Sequence, residues 1–330
     1  MLEVKDLCVK FNTKDKVIRA VRGISFTLSR GETLAIVGES GSGKSVTSRA
    51  IIGLLGYNAE TSGSIMLEGK NLLDLTEGQM CKIRGKKIAM VFQDPFSSLD
   101  PIMKVGDQLT EAMDKGQFNK KERHERALKL MSEVGIPDPE KRIKQYPFEL
   151  SGGMRQRIVI AIALASNPDI LICDEPTTAL DVTIQAQILE LIEGLKKKRR
   201  LSVIFITHDF GVVAKVADRV AVMYAGKIVE IGTAEEIFYH SQHPYTWALL
   251  SCAPRLDEGE RLESIEGVAP DLSLEIRGDA FAPRNPYALN IDFLEEPPEY
   301  KISSTHSVYS WLMHEDAPRV EPPERVRKMC

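Results

Sequence analysis

The chain has 330 residues, enough for about two domains of ordinary size. Apolar residues make up 43% of it and charged residues 27%, a balance typical of a folded globular protein and unlike that of a disordered or collagen-like chain. The 43 Lys and Arg residues are offset by 47 Asp and Glu residues, which gives a net charge of -4. No overall positive field is available to hold a nucleic acid, so nucleic-acid binding is not expected.

The sequence shows neither a membrane-spanning segment nor a signal peptide. No apolar stretch approaches the roughly 18 residues that a spanning helix needs, and the N-terminal MLEVKDLCVKF has no apolar block. We therefore expect the chain to stay in the cytosol. The cysteines are far apart and form no CxxC pair, so we expect reduced, mostly buried thiols. They are Cys8, Cys81, Cys173, Cys252 and Cys330.

Short apolar runs alternate along the chain with segments of helical spacing. The runs TLAIV, IAMVF, ILIC and VIFI are short enough to be buried strands, and they cover residues 33–37, 88–92, 170–173 and 203–206. Helices are predicted at residues 44–55, 105–113, 121–134 and 185–195. Strands that alternate with helices indicate an α/β fold with buried parallel strands.

Two regions depart from this pattern. Residues 101–146 are mainly helical with charged faces, which indicates a helical insertion within the sheet domain. Ten of the 17 prolines lie after residue 240, and this shift in composition predicts a separate C-terminal extension from about residue 236. The charge runs at residues 120–126 and 196–200 are interpreted as solvated helix faces.

A glycine-rich loop joins the first apolar run to the first predicted helix. Its sequence, GESGSGKS, fits GxxxxGK[ST] in the strand-to-helix context that this phosphate-binding motif requires. The glycines let backbone N–H groups converge on phosphate oxygens at the positive end of the helix. Lys44 then reaches the β and γ phosphates, and the Ser45 hydroxyl binds Mg²⁺. The nucleotide-binding residues predicted here are Gly38, Ser40, Gly41, Ser42, Gly43, Lys44, Ser45 and Val46.

Two carboxylates follow the ILIC run. Asp174 is predicted to hold Mg²⁺, directly or through water, and Glu175 to polarise the attacking water as a general base. The alternative for Glu175 is an ordinary surface charge at a strand end.

The segment LSGGMRQR begins 20 residues before the ILIC run. Ser151 can cap a helix there, and Gly152 and Gly153 leave N–H groups bare, so this is a second anion-binding helix start. LSGG followed by a glutamine and an acidic strand end resembles the ATP-binding subunits of ABC transporters. The resemblance implies two cassettes facing head to tail, each signature closing over the partner's γ-phosphate.

Further residues resemble the family's motifs in the family's order. Gln93 resembles the Q-loop glutamine, which reaches Mg²⁺ and the water and contacts the transmembrane partner. The segment Ala179-Leu180-Asp181 resembles the D-loop at the dimer interface, so Asp181 is assigned to nucleotide binding. His208 resembles the switch histidine at the γ-phosphate, and the catalytic residues are therefore predicted to be Glu175, His208 and Gln93. Phe11 is a candidate to stack on adenine, with a plain core aromatic as the alternative.

Longer motifs, such as DEPTTALDVTIQAQIL and HPYT, resemble the ATP-binding subunits of oligopeptide, dipeptide and nickel importers. The tail FAPRNPYALNIDFLEEPP resembles their C-terminal extension. Many members hold an iron–sulfur cluster there through cysteines, and a cluster needs thiolates. The matching positions in this chain carry oxygen side chains, so we predict that no cluster is bound. They are Asp279, Asn285, Asp292 and Ser310.

His240 and His243, three residues apart, imitate a metal-binding pair. A surface loop is the favoured interpretation, and no zinc site is predicted.

The predicted architecture is a P-loop NTPase of the ABC type, with a mixed sheet core, an inserted helical subdomain and a C-terminal extension. The nucleotide-binding domain is assigned to residues 1–235 with the subdomain at about 95–155, and the extension to residues 236–330. The resemblance implies an ATP-hydrolysing, Mg²⁺-dependent subunit of a peptide importer at the cytoplasmic face of the membrane. Its implied partners are two transmembrane permease subunits, a second, related ATPase chain and, indirectly, an extracellular solute-binding protein. The alternatives are an importer of nickel or another solute and a soluble ABC ATPase.

Overall fold

The structure, a computed structural model, describes residues 1–114, 116–178, 180–252 and 265–327. The chain forms two compact units. The first contains Met1–Ser29, Thr33–Asp74 and the described residues from Ile206 onward. The second contains Arg30–Glu32 and the described residues within Leu75–Phe205.

The strands are numbered in chain order. They are β1 (Leu2–Asn12), β2 (Val17–Leu28), β3 (Thr33–Val37), β4 (Ala59–Leu67), β5 (Lys70–Asn71), β6 (Ile88–Val91), β7 (Ile170–Asp174), β8 (Ser202–Thr207), β9 (Arg219–Tyr224), β10 (Lys227–Thr233), β11 (Glu299–Lys301) and β12 (Ser307–Tyr309).

The α-helices follow the same convention. They are α1 (Lys44–Ile51), α2 (Glu77–Ile83), α3 (Pro95–Ser98), α4 (Val105–Glu111), α5 (Lys120–Glu133), α6 (Pro139–Arg142), α7 (Gly152–Leu164), α8 (Val182–Arg199), α9 (Phe210–Val216), α10 (Ala234–Tyr239), α11 (Pro244–Cys252) and α12 (Glu324–Arg327). Short 3₁₀ helices lie at Leu72–Asp74, Pro147–Glu149, Ala282–Arg284, Asn290–Phe293 and Trp311–Met313.

The strands of the first unit form an antiparallel sheet and a mixed set. The antiparallel sheet has the order β2-β1-β4-β5. The mixed set runs β11-β12-β10-β9-β3, in which β9 and β3 are parallel and the other neighbours antiparallel. All five residues of β3 are buried, as expected of a strand that is covered on both faces. Its carboxyl end is the point from which the glycine-rich loop leaves the sheet.

In the second unit β8, β7 and β6 lie side by side, with the last two residues of β8 assigned to the first unit. β7 is parallel to β6, and all five of its residues are buried. The helices α2 to α8 belong to the same unit. The four predicted strands are thus confirmed as β3, β6, β7 and β8, and so is the α/β class.

The structure places one helix over a longer range than predicted, because capping residues set its two ends. The helix predicted at 185–195 spans Val182–Arg199. Asp181 starts it three residues earlier, because its carboxylate accepts a hydrogen bond from the Ile184 N–H at 3.0 Å. Arg200, in a left-handed conformation with φ 55°, ends it. The other predicted helices differ from α1, α4 and α5 by a few residues at their ends.

One hydrophobic core joins the C-terminal part of the chain to the strands of the first unit. Tyr245, Trp247 and Phe281 are buried in the same cluster as Val37 of β3 and Tyr224 of β9. The ring centroids of Tyr224 and Tyr245 are 4.5 Å apart, and those of Tyr224 and Phe281 are 5.3 Å apart. Burying a large apolar side chain contributes about 1.5–3 kcal/mol. Burial of these aromatic side chains therefore holds the C-terminal part of the chain to β3 and β9 by several kcal/mol.

The predicted division into domains at 1–235, about 95–155 and 236–330 stays a prediction. The assigned extension includes α10, α11, β11, β12 and α12. Residues 253–264 and 328–330 of it lie outside the described part of the chain.

The prediction that the thiols are mostly buried was wrong for the described cysteines. Cys173 is buried, Cys8 and Cys252 are half-buried and Cys81 is exposed, and none of these four described cysteines forms a disulfide. Burial, with a smaller contribution from the Asp174 carboxylate, raises the pKa of the Cys173 thiol to about 12. Cys330 lies outside the described residues.

No helix in the described ranges combines the length and the apolar character that crossing a membrane requires.

Candidate nucleotide site

The glycine-rich loop runs from β3 into α1 in the first unit. Gly38, Gly41 and Gly43 have φ values of 151°, 79° and 103°, at which a side chain is strained. A Cβ atom would lie 2.0 Å from the Met223 carbonyl oxygen at Gly38, and 2.5 Å from that of Ala20 at Gly43. Only glycine lets the loop pass this close to the neighbouring backbone.

α1 begins directly after this loop. Gly43 is its N-cap residue, and no side chain caps its first turn, so its leading N–H groups are oriented to receive an anion. The Lys44 side chain is 5% exposed. Its ammonium donates to the carbonyl oxygens of Gly38 and Glu39, each at 2.8 Å, and to the Ser42 hydroxyl at 3.4 Å. The cation therefore lies folded back over the loop that is predicted to receive phosphate.

The other predicted residues of the loop differ in their exposure to solvent. Ser40 is exposed, Ser42 is buried, and Ser45 and Val46 lie half-buried in the first turn of α1. The Ser42 N–H donates to the Glu39 carbonyl oxygen at 3.2 Å. These contacts fix the backbone of the loop in a tight turn.

Asp174 and Glu175 lie at the end of β7 in the second unit. Asp174 is 2% exposed. Glu175 has a left-handed φ of 47°, a conformation that costs a non-glycine residue roughly 1–2 kcal/mol. Its Oε2 atom accepts hydrogen bonds from the Gln93 side-chain amide and the Thr178 hydroxyl, both at 3.0 Å. The structure thus brings Gln93 and Glu175 together, and their catalytic roles stay a prediction.

The LSGG segment forms the start of α7, also in the second unit. The Ser151 hydroxyl accepts a hydrogen bond from the Met154 N–H at 3.3 Å, which confirms the predicted cap. A Cβ atom at Gly153 would lie 2.8 Å from Cγ2 of Ile184 in α8, whereas one at Gly152 would meet nothing closer than 3.9 Å. A side chain at Gly153 would therefore press on Ile184, whereas one at Gly152 would not.

Three more predicted residues lie at element ends. Asp181 caps α8, as described above, and Ala179 of the same motif lies outside the described residues. His208 is exposed directly after β8. Phe11 is half-buried near the end of β1, opposite Ile18 of β2. The assignments of Asp181, His208 and Phe11 stay predictions.

The four tail positions predicted to replace cluster cysteines are all buried. Each accepts a hydrogen bond from a nearby backbone N–H: Asp279 from Phe281 at 3.0 Å, Asn285 from Tyr287 at 3.0 Å, Asp292 from Leu289 at 2.6 Å and Ser310 from Leu312 at 3.3 Å. Their oxygens stabilise local turns, which is a structural role that needs no metal.

The surface-loop interpretation of His243 was wrong. His243 is 1% exposed, and its Nδ1 atom accepts a hydrogen bond from the Tyr245 N–H at 3.0 Å. Burial lowers the pKa of this imidazole to about 3, so it is neutral at physiological pH. His240 is exposed at the end of α10, as predicted. Among the described residues no group of three or more His, Cys, Asp or Glu side chains could hold a metal ion.

Sequence reasoning missed the contacts of Glu39, the second residue of the glycine-rich loop. Its N–H donates to the Tyr245 hydroxyl at 2.9 Å, and its carboxylate accepts two hydrogen bonds from Arg284 at 2.6 and 3.1 Å. Glu39 and Arg284 are 245 positions apart, so no local pattern links them.

Two family models match the chain. The ABC transporter model matches residues 21–178, and the model of the oligopeptide/dipeptide transporter C-terminal region matches residues 229–291. The oligopeptide transport ATP-binding protein OppD of Bacillus subtilis is 59% identical over 334 residues, covering 99% of this chain and 93% of the relative. The chain belongs to the family of ABC transporter ATP-binding proteins.

Further relatives agree with this membership. The dipeptide transport ATP-binding protein DppD of Lactococcus lactis is 55% identical over 99% of this chain and 95% of its own length. A dimeric structure of a bacterial ABC transporter cassette is 28% identical with a TM-score of 0.64, covering 71% of this chain and 99% of that one. A dimeric cassette in a post-hydrolysis state, bound to ADP and phosphate, has 28% identity and a TM-score of 0.63 over the same fractions. The predicted ABC-type P-loop fold is confirmed.

Proposed function

We propose that this chain is the ATP-binding and hydrolysing subunit of an ABC importer and that it powers the uptake of oligopeptides or dipeptides. The observation that carries the proposal is the 59% identity across 99% of the chain to an oligopeptide transport ATP-binding protein. Similarity of this extent includes the C-terminal segment, which also matches the oligopeptide/dipeptide transporter region. Other subunits move the peptide, and this chain supplies the free energy by hydrolysing ATP.

The loop geometry supports a nucleoside triphosphate as the ligand. Three glycines with positive φ, an uncapped helix start and the buried ammonium of Lys44 together form a cradle that suits phosphate oxygens. Mg²⁺ prefers oxygen ligands, and the side chains of Ser45, Gln93 and Asp174 would supply them. When bound, the ion neutralises charge on the phosphates.

Glu175 supports hydrolysis as the reaction. Its carboxylate is oriented by Gln93 and Thr178, as a general base has to be before it can accept a proton from water. His208 would donate a hydrogen bond to the γ-phosphate, where negative charge is concentrated.

The assembly that we propose has two cassettes in contact. Ser151, Gly152 and Gly153 at the start of α7 would close over the nucleotide of the partner cassette, with Asp181 at the interface. Two transmembrane permease subunits would hold the pair at the cytoplasmic face of the membrane, and the second cassette would be a related chain. An extracellular solute-binding protein would deliver the peptide, and nucleic acid has no part.

We also propose that the tail holds no iron–sulfur cluster. The four matching side chains offer oxygen and not thiolate, and each already accepts a backbone hydrogen bond. Iron analysis and visible absorbance of anaerobically purified protein test this point, and about one cluster per chain would contradict it.

Uptake measurements in cells test the function. A strain that lacks the gene should lose uptake of a labelled tripeptide, and the parent gene should restore it. Radioactive nickel should enter at the same rate in all strains. Loss of nickel uptake with peptide uptake unchanged would assign the chain to the alternative, a metal importer, and no change in either would contradict a role in import.

A further inference from the structure

Glu39 of the glycine-rich loop is held on three sides. Its carbonyl oxygen accepts a hydrogen bond from the Lys44 ammonium at 2.8 Å. Its N–H donates to the Tyr245 hydroxyl at 2.9 Å, and its carboxylate accepts from Arg284. Tyr245 and Arg284 both belong to the assigned C-terminal extension. The extension therefore contacts Glu39, the residue whose carbonyl oxygen binds the Lys44 ammonium.

Arg284 is bound as part of a built structure and not as a surface charge. Its side chain is 5% exposed. Besides Glu39, its guanidinium donates to the carbonyl oxygens of Glu266 at 2.9 Å and Ile265 at 3.2 Å, and to the Tyr224 hydroxyl at 3.2 Å. The hydrogen bonds to the Glu39 carboxylate raise the pKa of Arg284, so the charge is permanent. Only the planar fork of arginine can serve so many acceptors at once.

Tyr245 is fixed just as firmly. It is fully buried, and its ring centroid lies 4.5 Å from that of Tyr224 and 5.2 Å from that of Phe281. Burial raises the pKa of its phenol, so the hydroxyl stays neutral. The packing of the ring thus places a neutral hydroxyl oxygen where it accepts the Glu39 N–H.

The charge of Glu39 makes these contacts relevant to the ligand. Its carboxylate is part of a loop that is shaped for phosphate, and like charges repel strongly where solvent is partly excluded. Arg284 pairs with it through two parallel hydrogen bonds, which are among the strongest that side chains make.

We propose that Arg284 and Tyr245 are positioning residues of the ATP site: they hold the loop in its phosphate-binding shape, and Arg284 neutralises Glu39. The inference rests on the proposed function, because it assumes that the loop binds ATP. It makes the C-terminal extension a working part of the nucleotide site in addition to any other role.

Binding of a fluorescent ATP analogue to the purified full chain, with Mg²⁺, tests the proposal. Arg284→Met should raise the Kd about tenfold, because charged hydrogen bonds that shape the loop are lost and Glu39 is left uncompensated. Arg22→Met is the matched control: Arg22 is 11% exposed and paired with Glu296 in the same unit. Its Kd should stay within twofold of the parent's.

Two further variants separate position from charge. Arg284→Lys keeps the charge but loses the fork, so its Kd should rise about threefold. The double variant Glu39→Gln with Arg284→Met should bind more tightly than Arg284→Met alone, because a neutral amide does not repel the triphosphate. A double variant as weak as the single one would overturn the electrostatic part of the proposal. In the assembled transporter, KM for ATP should change more than kcat.

Thermal unfolding without nucleotide shows which variants fold. If Arg284→Met does not fold, Tyr245→Phe decides, because it removes only the hydroxyl and should raise the Kd severalfold. A folded Arg284→Met, or in its place Tyr245→Phe, that binds within twofold of the parent would overturn the inference. A parent chain that fails to bind the analogue would instead overturn the proposed function.

Discussion

At the scale of single residues, the chemistry depends on how the chain leaves β7. Asp174 ends the strand, and the left-handed backbone of Glu175 turns the next carboxylate toward Gln93 and Thr178. Strain of this kind persists where surrounding structure enforces it. The arrangement gives the two adjacent carboxylates different surroundings, as the different roles predicted for them require.

Glu175→Gln should leave ATP binding intact and lower the rate of hydrolysis by about a hundredfold or more, because the amide cannot accept the proton. The rate is measured in the assembled transporter at saturating ATP. Glu193→Gln, which affects a half-buried side chain on α8 that pairs with Lys197 one turn further on, is the control and should change little. Near-normal hydrolysis by Glu175→Gln would remove Glu175 from the catalytic role.

Lys44→Ala should weaken nucleotide binding itself. The ammonium supplies the one buried cation that the structure shows on the glycine-rich loop, and charged hydrogen bonds to phosphate are strong. We expect the Kd for ATP to rise by at least about tenfold in equilibrium titrations. Lys121→Ala, at an 88% exposed side chain, should bind as the parent does. Equal affinity in Lys44→Ala and the parent would show that the cradle is misassigned.

At the scale of elements, the contact between α7 and α8 distinguishes two adjacent glycines. Alanine favours a helix over glycine by about 1 kcal/mol, so Gly152→Ala should be neutral or stabilising. Gly153→Ala would press a methyl group against Ile184, and overpacking costs about 1–3 kcal/mol. Urea unfolding should therefore rank Gly153→Ala below Gly152→Ala in stability. The reverse order would contradict the packing described for α7.

Asp279, in the C-terminal segment, makes the stability of the folded chain depend on pH. Burial raises the pKa of this carboxyl from its ordinary 3.8 to about 6. The folded state then binds the proton more tightly than the unfolded state, so stability falls as pH rises from about 4 to about 6 and stays lower above that range. A shift of about two pKa units corresponds to about 3 kcal/mol.

Asp279→Asn should remove this loss, because an amide oxygen can still accept the Phe281 N–H. The variant should gain up to about 3 kcal/mol over the parent at pH 8 and little at pH 4, as measured by urea unfolding. Asp271→Asn, at an exposed carboxyl whose pKa is lowered by the Ser273 N–H, should show no such gain. An equal effect of Asp279→Asn at both pH values would contradict the raised pKa.

At the scale of the whole molecule, local features were predictable from the sequence and distant contacts were not. The glycine-rich loop, the Ser151 cap and the buried strands are each determined by a few neighbouring residues. His243 was misplaced because its burial depends on a cluster that includes Phe281, about forty positions away. The hydrogen bonds between Arg284 and Glu39 could not be predicted for the same reason, because the two residues come close only in the folded chain.

In a chain of the ABC transporter family, the residues that bind and hydrolyse ATP have to be coupled to the membrane subunits. Hydrolysis can drive transport only if the nucleotide-bound and nucleotide-free cassettes differ in affinity for states of the membrane subunits. In the proposed function, Lys44 and Glu175 would create that difference by binding and hydrolysing ATP, and Gln93 and Asp181 would transmit it.

The most direct test of the account is ATP-driven accumulation of a labelled peptide in vesicles that contain the complete transporter, built with the parent chain or with Glu175→Gln. We predict accumulation that requires ATP with the parent and stops with the variant, although the variant still binds nucleotide. Equal peptide accumulation by both complexes would show that this chain does not power uptake.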